Sequence, residues 1–118
     1  MQRRDKILLE KIISEIDIAF EMLENADLTI FLGDEKLKRA VGMTVINIGE
    51  LVKNISDELR SEHSEVPWKA VAGMRDIAAH KYQTLRMEDV YNTVLIDFPD
   101  LKNTLLKILE EYINNDQI

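Results

Sequence analysis

The chain has 118 residues and a formal net charge of −7, which excludes a protein that coats nucleic acid through its overall charge. It has no cysteine, which removes disulfides and thiolate metal sites, and no apolar run near the roughly 18 residues that a membrane span needs. Hydrophobic residues at 46% suffice for the core of one domain, while four glycines and two prolines supply little material for turns, so a few long helices are expected rather than many short strands.

The N-terminal stretch Met1 to Lys6 is basic, but it leads into an amphipathic pattern rather than the apolar core of a signal peptide. A reducing cytoplasm is the expected address. From about residue 4 to 24, apolar residues recur at Ile7, Leu8, Ile12, Ile16, Ala19, Phe20 and Leu23, the spacing of a helix with one buried stripe. Its acids, Glu10, Glu15, Asp17, Glu21 and Glu24, read as a solvated face. Asn25, Asp27 and Gly33 mark a break. Asp34 then suits the N-cap of a second helix, with Glu35 in its first turn where the helix dipole favours an acid. The stripe of this helix runs from Leu37 to Ile55 and is apolar between Val41 and Val52 apart from Glu50. Such a stretch implies burial on more than one side, a second copy of the chain being one way to provide it. Ser61 to Val66 is a polar break containing His63, read as an exposed loop residue. Pro67 suits the first turn of a third helix carrying Trp68, Val71, Met74, Ile77 and Ala78. Trp68 reads as core, and Gly73 as a point of close helix packing. A last helical region runs from Met87 to about Asn114, with Pro99 expected to kink or restart it. The fold expected is an all-α, up-and-down bundle of four main helices with a short or kinked extra helix.

Residues 75 to 82 read Arg-Asp-Ile-Ala-Ala-His-Lys-Tyr, which places Arg75, His80 and Tyr82 in the pattern R-x4-H-x-Y. Imidazole moves a proton near neutral pH, guanidinium clamps phosphate, and a phenol donates a hydrogen bond or acts as a nucleophile. Together they point to chemistry on phosphate esters. The surrounding window, residues 66 to 87, carries Lys69, Arg75, Lys81 and Arg86 against Asp76 alone, a local net of +3, whereas the remainder has 11 basic and 21 acidic residues. Lys69, Lys81 and Arg86 are thus candidate phosphate contacts, with solvated helix faces as the bland alternative. On a regular helix His80 lies about 140° around from Arg75, while Tyr82 returns to within about 20° of it. Arg75 and His80 cannot both point at one phosphate from a straight helix. Either the helix ends or bends near Ala79, or the site is composite.

The stretch Val66-Pro67-Trp68-Lys69, Gly73-Met74-Arg75-Asp76 and His80-Lys81-Tyr82 resembles the HepT-like group of HEPN domains, the toxin halves of toxin–antitoxin pairs. Ile48-Gly49-Glu50 is similar to that group's Ile-Gly-Glu signature, and Val90 to Val94 and Phe98 to Leu101 resemble its fourth helix. The resemblance spans nearly the whole chain. It implies a dimeric helical bundle acting as a metal-independent endoribonuclease without a cofactor. It also implies a minimal nucleotidyltransferase that neutralises the toxin, in some members by placing AMP on the motif tyrosine, here Tyr82. Two positions depart from the pattern. Leu51 and Val52 stand where small alanines are common, and Asp76 stands where asparagine is common.

RNA carries its own nucleophile, the 2′-hydroxyl. Its cleavage needs a base for that proton, an acid for the leaving 5′-oxygen, and positive charge at the transition state. His80 suits the first two roles and Arg75 the third. Tyr82 suits RNA positioning or AMP acceptance. Glu50 and Asp76 suit partners that orient Arg75. A composite site at a two-fold axis, with each copy giving Arg75 and His80, resolves the angular conflict. The competing readings are a non-catalytic module that presents substrate to a nucleotidyltransferase, and a purely structural helical dimer.

Overall fold

The structure, a computed structural model, describes residues 1–80 and 86–116, with the side chains of 77–80 and 116 outside the description. Every regular element in the described residues is helical. Helix α1, Arg3–Leu23, buries Leu9, Ile12, Ile16, Ala19 and Leu23 on the stripe that the spacing predicts. Its first turn also buries Asp5, which the apolar pattern gave no reason to expect inside. The Asp5 carboxylate accepts from the backbone N–H of Ser56 at 3.0 Å and from the Ser56 hydroxyl at 2.5 Å. A buried acid is tolerated when its oxygens are satisfied in this way.

The break after α1 contains a short helix, α2, Leu28–Gly33. Asp27, read from the sequence as a breaker, is its N-cap and accepts from Ile30 N at 2.8 Å. Helix α3, Glu35–Lys53, starts on the expected Asp34 cap, which accepts from Leu37 N at 3.0 Å. A further short helix, α4, Asp57–Glu62, begins on Ser56, whose hydroxyl accepts from Leu59 N at 3.2 Å. Ser56 therefore links Asp5 of α1 to the start of α4. Both short helices lie where turn residues dominate the pattern, because cap residues and breakers are the same amino acids.

Helix α5, Trp68–His80, follows Pro67 as expected. Trp68 is buried in the core and its indole N–H donates to the His63 carbonyl at 2.9 Å. His63 is half-buried rather than exposed, with Nδ1 at 3.3 Å from a Glu65 carboxylate oxygen. The last rod comprises α6, Met87–Asn92, a π-helical segment, Thr93–Asp97, and α7, Phe98–Asp116. As the second residue of α7, Pro99 marks where α-helix restarts after the π segment, one of the two outcomes expected. It has no N–H to give and its ring crowds the preceding turn. The turn just before it widens to the π form, with Phe98 N–H reaching back to the Thr93 carbonyl, and the helix passes.

The core runs between α1, α3 and the last rod, with Phe31 and Phe98 as its largest fully buried side chains. Helix α3 packs on α1 on one side and on α5 on the other. Its apolar run is thereby packed on two sides within one chain, while Met43 within that run stays 57% exposed. Arg60 of α4 donates to the Val52 and Lys53 carbonyls at 2.8 and 3.0 Å, which holds α4 at the end of α3. From there α5 returns antiparallel along α3. Among the described residues α3 is its main support, which leaves α5 on the outside of a body measuring 51 × 28 × 20 Å. The all-α bundle of four long rods is as expected, with two short helices added. Among the described residues no helix is long and apolar enough to cross a membrane.

Candidate active site

Arg75 sits where α5 comes closest to α3. A Cβ built on Gly49 would lie 2.5 Å from the Arg75 Cβ, 2.9 Å from its backbone nitrogen and 3.2 Å from its Cα. Those distances are too short for any side chain, so the glycine is what lets the two backbones approach at this level. Gly73, the glycine expected to serve close packing, does not. A Cβ there would meet nothing within 4 Å.

The close approach puts Glu50 beside the guanidinium. Arg75 Nε is 3.0 Å from Glu50 Oε2, and Arg75 Nη1 donates to Asp76 Oδ1 at 2.9 Å. The hydrogen bond to Asp76 and then the charge of Glu50 raise the Arg75 pKa above its usual value. The Arg75 side chain keeps 31% of its surface exposed, so it is held but reachable. Asp76 comes from the same helix and Glu50 from the neighbouring one. The charge count along the chain makes this window basic, but the fold brings in an acid from 25 positions away. At Arg75 itself two carboxylates face one cation.

The other candidates spread out. Lys69 is exposed on α5, six residues before Arg75 and about 120° around the helix from it, so it does not share the Arg75 face. Arg86 precedes α6 and its Nη2 lies 3.5 Å from Glu88 Oε2. Helix α5 is described through His80, which is where its bounds end, one residue past Ala79. The His80 side chain, Lys81 and Tyr82 lie outside the described residues. Among the described residues no three His, Asp or Glu side chains gather closely enough to hold a metal ion.

Two depressions flank this region. One, of about 320 Å³, separates the start of α5 from the π segment and α7, with Val66, Ala70, Val71, Met74, Phe98 and Leu101 among its lining. The other, of about 440 Å³, lies between α1 and α3 and includes Glu50 in its wall.

The fold and this cluster define an all-α bundle whose exposed polar centre is an arginine held by acids from two helices. Residues 12–108 match the family model described as ribonuclease HepT-like, and the chain belongs to that family. A protein of Caldanaerobacter subterraneus subsp. tengcongensis named "Putative RNase" is 36% identical over 103 residues, 87% of this chain and 92% of its own length. One from Thermococcus cleftensis named "Probable ribonuclease HepT" is 34% identical over 108 residues, 92% of this chain and 98% of its own. No solved structure matches the chain.

Proposed function

We propose that this protein is an endoribonuclease that cleaves RNA by attack of the 2′-hydroxyl on the adjacent phosphorus. The observation that carries the reading is the clamp on Arg75: Gly49 permits the contact, and Glu50 and Asp76 fix the guanidinium. A fixed guanidinium costs no reorganisation when charge develops on the phosphorane oxygens, which is the condition for strong electrostatic stabilisation. Its Nη2 and the second N–H of Nη1 are the donors that would meet the non-bridging oxygens. His80 takes the 2′-proton or supplies one to the 5′-oxygen.

The composite form of the site accommodates the angular offset between Arg75 and His80 along α5. With Arg75 and His80 about 140° apart on one helix, two copies related by a two-fold axis would each give both residues to a shared cleft. The scheme needs no metal. Purified wild-type protein is expected to cleave RNA in the presence of EDTA, while R75A and H80A fall by about a hundredfold or more. Cleavage that survives both substitutions would remove the proposal.

Control belongs to Tyr82 and to a minimal nucleotidyltransferase partner in the cytoplasm, a toxin held by its antitoxin. AMP on the phenol would add negative charge and bulk to the motif, opposing RNA. An unchanged intact mass after incubation with the partner and ATP would exclude this route.

One observation favours the second reading, a non-catalytic module. Asp76 occupies an Arg75 N–H that a phosphate would use. The two readings diverge for D76N. In an enzyme whose guanidinium Asp76 holds in place, D76N weakens the anchor and cleavage falls about threefold to tenfold. In a module, D76N stays as silent as wild type.

A further inference from the structure

The antiparallel register of α1 and α3 follows from Asp5 meeting Ser56 and from Lys11, Ser14 and Glu15 lining one depression with Asn47, Glu50 and Leu51. Lys11 then lies level with Glu50, Ser14 with Asn47, and Ile18 with Met43. All six of these side chains are exposed. Leu51 is the apolar member of the lining, and Ile18 and Met43, 40% and 57% exposed, lie one turn further along the same two helices. No hydrogen bond or ion pair among the described residues ties up Lys11, Ser14 or Asn47. Glu50 joins this groove to the arginine, since the carboxylate in its wall is the one that meets Arg75 Nε at 3.0 Å.

We propose that the groove formed by Lys11, Ser14, Asn47 and Glu50 seats the nucleotide next to the cleaved linkage and reads its base. The inference rests on the endoribonuclease reading of Arg75. Its volume of about 440 Å³ is that of a small-ligand site. The lining is wrong for a bare phosphate, because Glu15 and Glu50 would repel it. It is right for a base edge. Carboxylate oxygens accept from exocyclic amines, an asparagine amide offers a donor beside an acceptor, and a serine hydroxyl serves either way. Adenine, cytosine and guanine each present an exocyclic amine on the Watson–Crick edge, whereas uracil presents one ring N–H between two carbonyls. The groove therefore favours an amine-bearing base, adenine and cytosine among them, over uracil, with Leu51 against the base and Lys11 near the flanking phosphate.

The test uses the full chain and two sets of short oligoribonucleotides that differ only in the base beside one central linkage. In one set that linkage is cleavable, and in the other 2′-O-methyl groups block it. Fluorescence anisotropy on the blocked set is expected to show adenine and cytosine bound about fivefold to tenfold more tightly than uracil by wild type. N47A and S14A bring the three bases within about twofold, and on the cleavable set their loss falls on KM more than on kcat. K11A lowers the slope of log affinity on log salt by about 0.7. Base preference and affinity unchanged in both N47A and S14A would overturn the groove as a subsite. So would a change in particle mass by light scattering with base preference intact, which would make this face a contact between copies. If wild type binds with this preference but cuts nothing, the endoribonuclease reading falls and the groove stands. If R75A abolishes cutting and N47A and S14A leave binding and preference as they were, only the groove reading falls.

Discussion

At the scale of single residues, Gly49 is the position with the least freedom. Its missing side chain is filled by the backbone and Cβ of Arg75, so Gly49→Ala forces α3 and α5 apart at the level of the arginine. Overpacking of this kind costs about 1–3 kcal/mol. G49A should lower the melting temperature by several degrees and also reduce cleavage, since Glu50 and Arg75 lose their alignment. Differential scanning calorimetry and the RNA assay check the two halves separately. A variant with wild-type melting and wild-type cleavage would show that the helices separate at no cost. The sequence flagged Gly49 only through its place in the Ile-Gly-Glu signature. It favoured Gly73 for packing because that glycine stands in the motif helix, yet nothing lies within 4 Å of its missing Cβ. Local sequence cannot tell a glycine that faces a neighbour from one that faces open space.

At the scale of elements, the apolar stripes of α1 and α3 were legible because burial recurs with the helical period. The short helices α2 and α4 were not, since six residues span under two turns and show no stripe. What fixes α4 is tertiary: Asp5 receives the Ser56 N–H and hydroxyl while Ser56 caps α4. Asp5→Ala would leave the part-buried Ser56 N–H without an acceptor, at a cost of about 1–3 kcal/mol. For a domain of this size that is a drop of very roughly 4–15 °C in melting temperature. Thermal unfolding followed by circular dichroism reads this directly, and a shift under 1 °C would mean water replaces the carboxylate fully. The π segment carries a similar lesson. Pro99 announced a disturbance in the last helix, but whether a proline breaks, kinks or widens a helix depends on what packs around it. Here Val94 and Phe98 are both buried, which anchors the widened turn to the core.

For the whole molecule, the decisive arrangement is that α3 is central and α5 lies outside it, so the arginine is presented at a surface and braced from within. If two such surfaces form one cleft, the stoichiometry of His80 matters. A heterodimer of one wild-type and one H80A subunit would lack either the acid or the base, and its cleavage should fall by about a hundredfold or more. Half-activity in the purified heterodimer would instead point to two independent sites. Composition and periodicity alone determined that this chain is helical and where its long helices run, and the spacing of Arg75, His80 and Tyr82 nominated them for phosphate chemistry. Those properties are local, since they depend on residues within a few turns of each other. Only the tertiary structure decided that Glu50 is a partner of Arg75, that Gly49 admits the contact, that Asp5 holds α4, and that carboxylates from two helices meet on the arginine. Each of these joins residues from different helices, and the distance between two helix faces is set by how all the side chains between them pack.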